Sequence, residues 1–174
     1  MRSVHIIKPD YEHQANMTLL GLQIPPENGP DRDSLISKWL NTNSFAALLT
    51  RTSVPALSFM LQGLWSLRSA LEYPTEDASM VSKLTYLIPA AAIWISILGS
   101  QIYASTEEYA PSAQGGQPGL GGPLWKGKHG FCPERWNLWK QRFGEISHQT
   151  GIDGGTRGEA LQAAIRMSDI ESGK

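Results

Sequence analysis

The sequence holds a single cysteine, Cys132, so no internal disulfide can staple the fold, and a reducing, cytoplasmic setting is the expectation. It also lacks an excess of either charge: fifteen Lys and Arg stand against sixteen Asp and Glu, a net charge of −1. Nucleic-acid binding calls for a basic field, so DNA and RNA are set aside as partners. The opening stretch from Met1 to Tyr11 has no apolar core of the kind a secretory signal carries. Metal-ligand spacing is missing as well, since Glu107 and Glu108 have no His or Asp partners at the usual intervals. The glycine-rich stretch ends in no Gly-Lys-Ser/Thr signature and follows no strand, which removes a phosphate loop. No metal and no cofactor are expected. Strand-like alternation of useful length is also absent, and the expected class is therefore all-α.

What the chain does have is an uncharged stretch from Leu84 to Thr106, rich in Ile, Leu and aromatic residues. A helix that is apolar all round belongs in a core or a bilayer. About 20 apolar residues would span a membrane. This stretch, however, is interrupted by Pro89, Ser96, Gly99, Ser100 and Gln101, and neither flank carries a Lys/Arg cluster. The expectation is a buried central helix, not a membrane span, with amphipathic helices packed around it.

Residues 1–30 read as an N-terminal arm, with a short helix from Asp10 to Leu20 before the breakers Pro25, Pro26, Gly29 and Pro30. A single helical domain is expected over 31–172. Asp31 or Asp33 caps a helix carrying Leu35, Ile36, Trp39 and Leu40; the stripe slips at Asn41, Thr42 and Asn43, predicting a kink or turn, and restarts with Phe45, Leu48 and Leu49. Pro55 suits the first turn of a helix with Leu57, Met60, Leu61, Leu64, Leu67 and Leu71 on one face. Pro89 predicts a break or kink near 86–88. Seven of the seventeen glycines and three of the eleven prolines lie between Ala110 and Gly130, which predicts one long loop. Cys132 and Pro133 open a helix bearing Trp136, Trp139, Phe143 and Ile146. A last helix runs from about Gly155 to Glu171, with Leu161, Ala164, Ile165 and Ser168 on one stripe and Ala160, Ala163, Met167 and Ile170 beside it.

The run Gly121, Gly122, Pro123, Leu124, Trp125, Lys126, Gly127, Lys128 is followed by Gly130, Phe131 and then Glu134, Arg135, Trp136 and Trp139. Together with Asn43 and Phe45, with Trp65, Arg68 and Glu72, and with Pro89, Trp94 and Gly99, it resembles a fungal all-helical family catalogued as a domain of unknown function. The resemblance covers about Trp39 to Glu171. It implies a soluble fungal protein, of a kind often found near secondary-metabolism genes, and it assigns no catalytic residue. Cys132 stands where Ser is the expected helix cap.

Among single residues, His129 in the glycine-rich loop is the best-placed acid or base, because an imidazole titrates near neutrality. Tyr103, at the end of the central stretch, is the second candidate for moving or polarising a proton. Trp94, Trp125, Trp136 and Trp139 fall on the central helix, the loop and the next helix, and together they suggest one indole-lined pocket closed by the loop, with Lys126 and Arg135 as polar contacts. The first functional expectation is accordingly a protein that binds an apolar, polyketide- or terpene-like molecule, with a cofactor-free isomerisation or cyclisation as its chemistry. The second is a helical protein-interaction module or homodimer without catalysis.

Overall fold

The computed structural model describes residue 25 and residues 28–75, 78–111 and 116–174; the expected Asp10–Leu20 helix lies outside the described residues. Five α-helices are present among them: α1 (Arg32–Arg51), α2 (Met60–Leu71), α3 (Ala78–Ala104), α4 (Pro133–His148) and α5 (Gly154–Glu171). No strand occurs there, only an isolated bridge between Glu108 and Gly130. The molecule is an all-α single domain built around α3.

Helix α3 is central because it can be buried from several sides. Leu84, Tyr86, Ile88, Trp94, Ile95 and Leu98 are all 2% exposed or less. Helices α1, α2 and α5 pack directly on it, and α4 closes the bundle against α5. By length and composition Ser79–Ala104 could also cross a membrane, the one such helix among the described residues. Pro89 sits inside α3 without ending it, so of the expected break or kink the break does not occur. Its missing amide costs about 3 kcal/mol in a helix interior. Burying several large apolar side chains on both sides of it, at roughly 1.5–3 kcal/mol each, outweighs that cost.

Three further expectations are corrected. Helix α1 runs without a turn through residues 41–43, because the apparent interruption is a buried polar junction: the Asn43 amide donates to the Trp39 carbonyl at 2.9 Å, and its oxygen accepts from Ser66 Oγ and Trp94 Nε1, both at 2.9 Å. Pro55 to Leu57 forms a separate 3₁₀ turn, and α2 begins only at Met60. Two helices invert the expected order of size: α1 buries Ala46 and Ala47 but leaves Phe45 59% exposed, and α5 buries Ala160 and Ala163 while Leu161 and Ile165 face outward. Small residues inside let α1 and α5 lie close to α3. At Gly99 on α3, an added Cβ would come within 2.5 Å of Ile170 Cδ1 on α5.

Candidate functional site

The densest polar chemistry lies where the glycine-rich loop crosses the ends of α2 and α4. Trp65, Arg68 and Glu72 recur at helical spacing on α2 and its C-cap, so they project from one face. All three reach the loop: Trp65 Nε1 donates to the Pro118 carbonyl at 2.7 Å, Arg68 Nη1 donates to the Leu120 carbonyl at 2.8 Å, and the Glu72 carboxylate accepts from the Gly122 amide at 2.7 Å. The Glu72 carbonyl also accepts from the Leu124 amide at 3.0 Å.

Arg135 and Trp139, one turn apart on α4, complete the cluster from the other side. The Arg135 guanidinium meets Glu72 through Nε at 2.7 Å and Nη2 at 3.1 Å, and both side chains are 0% exposed. Its Nη1 donates to the carbonyls of Gly119 and Gly130 at 3.1 and 3.0 Å. The guanidinium lies 5.6 Å from the Trp125 ring centre and 5.5 Å from that of Trp139, between two indoles whose faces attract a cation. Trp139 Nε1 adds a fourth donor to the Glu72 carboxylate at 2.7 Å, and Trp125 Nε1 is held by the Lys128 carbonyl at 2.9 Å. Burial holds the Arg68 guanidinium below its ordinary value, with neighbouring Tyr73 and Glu72 opposing that fall.

The six residues that the indole pocket required are thus only partly gathered. Trp125, Arg135 and Trp139 meet around Glu72, while Lys126 is solvent-exposed. Trp136 belongs to a second place, with its Nε1 donating to Glu171 at 2.8 Å and its ring 5.1 Å from the 42%-exposed Tyr103. Trp94 is in a third, bonded to Asn43. His129 is half-buried, and its backbone carbonyl accepts from the Tyr109 amide at 2.7 Å, which ties the loop to the chain leaving α3. Burial, and then Glu107, push the Tyr109 hydroxyl up from its ordinary value.

A family model described as "Protein of unknown function (DUF3632)" matches residues 8–143. The chain belongs to the DUF3632 family. The match begins inside the N-terminal arm and ends at Phe143, so the shared stretch starts earlier than the expected Trp39 and leaves all of α5 and the end of α4 outside it. No curated protein and no solved structure matches the chain.

In this DUF3632 member the cluster's donors and acceptors serve one another. Glu72 accepts four hydrogen bonds, two at each carboxylate oxygen, and the Arg135 side chain spends four of its five N–H groups. Such a carboxylate has little left to offer a reacting proton, and the arrangement acts as a clamp on the loop. Glu72, Arg68, Trp65 and Asn43 were not singled out as functional in the sequence; the available signal was the spacing of Trp65, Arg68 and Glu72 opposite Arg135 and Trp139. Cys132 sits at the N-cap of α4, where burial pushes its thiol up despite the Arg135 amide beside it. Among the described residues, no three His, Cys, Asp or Glu side chains converge as a metal ligand set. Two open grooves lie away from the indoles: one of about 460 Å³ between α4 and α5, and one of about 260 Å³ beside Ser53, Val54 and Gln101.

Proposed function

We propose that this DUF3632 protein is a helical interaction module in a reducing, cytoplasmic compartment, which presents apolar side chains on a rigid bundle to a protein partner. The observation that carries this reading is the inverted order of size on α1 and α5. Phe45, Leu48, Leu161 and Ile165 are each more than 40% exposed, while alanines on the same helices face the core. Scattered apolar residues on a surface are ordinary, but large residues kept outside while small ones are buried favour contact with something beyond the chain. The clamp supports the same reading, since it holds the loop still and leaves Arg135 and Trp139 occupied.

The experiment is native mass spectrometry of the protein purified gently from the cells that make it. The expected result is a species heavier than the 19.1 kDa chain by the mass of one or more proteins. A chain carrying only a tightly held small molecule would overturn the reading. It would favour instead the binding of an apolar, polyketide- or terpene-like metabolite, with His129 and Tyr103 as the groups to test for proton transfer.

A further inference from the structure

We infer that the knuckle after α1, residues 52–58, is an interfacial anchor that seats the protein on a bilayer carrying anionic headgroups; this goes beyond the protein partner proposed above and stands without it. Every residue from 51 to 58 is exposed, with Val54 at 46% and Leu57 at 36% on either side of Pro55 and Ala56. No charge occurs from Thr52 to Leu67. One turn before the knuckle, Leu48 is 42% exposed on the outer face of α1, and Phe45, 59% exposed, lies a turn further back. Lone apolar residues on a surface are ordinary, but these four follow one another to the edge where α1 meets the end of the bundle.

The backbone sets this knuckle apart from an ordinary loop. A segment that leaves water must satisfy its polar groups internally, since acyl chains offer no partners. The Thr52 and Ser53 amides donate to the carbonyls of Leu49 and Thr50 at 3.1 and 3.0 Å, and the Leu57 and Ser58 amides donate to those of Val54 and Pro55 at 2.9 and 3.2 Å. The Thr52 hydroxyl accepts from the Val54 amide at 3.4 Å, and the Thr50 hydroxyl accepts from the Phe59 amide at 2.8 Å. Pro55 has no amide to satisfy. Ser53, at φ +60°, ends α1 in the left-handed conformation and turns the chain outward.

Charge names the occupant. The ionised side chains from Ser34 to Leu71 are Lys38, Arg51 and Arg68, with no Asp or Glu among them. Arg68 is buried under the loop, whereas Lys38 and Arg51 are exposed, Arg51 directly beside the knuckle. Asp33 stands at the far end of α1, about 18 Å from Phe45 along the helix. Glu107 and Glu108 follow Ser105, which borders the same groove as Val54, but Glu108 pairs with Lys128 at 3.8 Å and Glu107 bonds Tyr109, on the side of the loop. Apolar side chains flanked by cations are what holds a surface segment to anionic lipid. A protein partner would need directional donors from the knuckle, and these are already used within it; lipid needs none.

Flotation of the full chain with phosphatidylcholine vesicles, plain or carrying about 30% phosphatidylserine, tests this. The expected result is reversible binding to the anionic vesicles, no tighter than the roughly 10⁴ M⁻¹ of a single myristoyl chain, and at least about 10-fold weaker binding to the neutral ones. Changing Val54→Asp and Leu57→Asp together is expected to abolish binding with little change in Tm, since both positions are exposed. Arg51→Glu is expected to weaken it about 30-fold, the effect of two charge units at the surface. Val54→Trp adds an indole whose emission shifts to the blue and is quenched by brominated acyl chains, a signal that charge attraction alone does not give. Absence of binding to either vesicle overturns the inference, as does equal binding to both, binding indifferent to the double aspartate change, or a Val54→Trp indole untouched by brominated lipid. If vesicles leave the wild type in solution and the double variant loses a protein that travels with the chain in native mass spectrometry, the knuckle is a protein contact: this inference falls and the module reading stands.

Discussion

Replacing Glu72 with glutamine is the sharpest probe of the loop clamp, because it changes charge and one atom but not size. Oε1 accepts from Arg135 Nε and Trp139 Nε1, and Oε2 accepts from Arg135 Nη2 and the Gly122 amide. Whichever oxygen becomes an NH₂ group, two donors are left facing a donor, and the wholly buried Arg135 loses its only carboxylate contact among the described residues. Removing one member of a buried ion pair costs about 3–5 kcal/mol. Against a total stability of roughly 5–15 kcal/mol, that is about a fifth of the fold or more. In a chain of this size it corresponds to a fall in Tm of about 6–20 °C. Urea unfolding followed by tryptophan fluorescence gives the free energy, and hydrogen exchange locates it, with amides of residues 119–131 expected to lose protection before those of α3. A double variant, Glu72→Leu with Arg135→Leu, should lose less than the two single changes added together, since no lone charge stays buried. A loss below about 1 kcal/mol for Glu72→Gln, with loop protection intact, would refute the account of Glu72 as the centre of the clamp.

Other outcomes follow from the same structure. Gly122→Ala would set a Cβ 2.6 Å from the Glu72 backbone oxygen, where neither side yields easily, so a loss of about 1–3 kcal/mol is expected in the same urea assay. Gly144→Ala, with open space at that point, is expected to stabilise the fold by up to about 1 kcal/mol. The Thr156 hydroxyl and amide hold Asp153 below the usual carboxylate range, and the Lys140 ammonium does the same for Glu171. A depressed folded value means that this stability is present above the unfolded values near 4 and is lost as pH falls through the folded ones. Thermal melts between pH 7 and pH 2 should therefore drop mainly below about pH 4, and Asp153→Ala, which removes the α5 cap at a cost of about 1 kcal/mol, should flatten part of that drop.

The helix count, the central place of α3 and the single long loop were legible because helical periodicity and clusters of Gly and Pro report local structure directly. The misreadings share a cause, which is that local pattern does not show what a residue meets across the fold. Asn43 looks like an interruption until Trp94 and Ser66, from two other helices, supply its partners. Pro89 looks like a stop until the packing on both sides of it is counted. Leu161 and Ile165 outrank their alanine neighbours in hydrophobicity, but close approach to α3 selects the small residues for the inside. The indole pocket failed to assemble for the same reason: Trp94, Trp125 and Trp136 are near one another in chain order but are drawn to Asn43, Lys128 and Glu171 respectively. The residues that do meet, Glu72 with Arg135, lie on helices that have α3 between them in the chain.

That meeting bears on how such a protein can change over generations. A single substitution at Glu72 or Arg135 strands its opposite number without water or countercharge, so drift at either place is punished on arrival. Both must turn apolar together, and Trp139, Gly122 and the carbonyls of Gly119 and Gly130 would then need new mates as well. A lineage holding this knot is therefore confined to it, and variation is free to accumulate elsewhere, on the outer faces of α1, α4 and α5, where new associations can be tried without loosening the bundle.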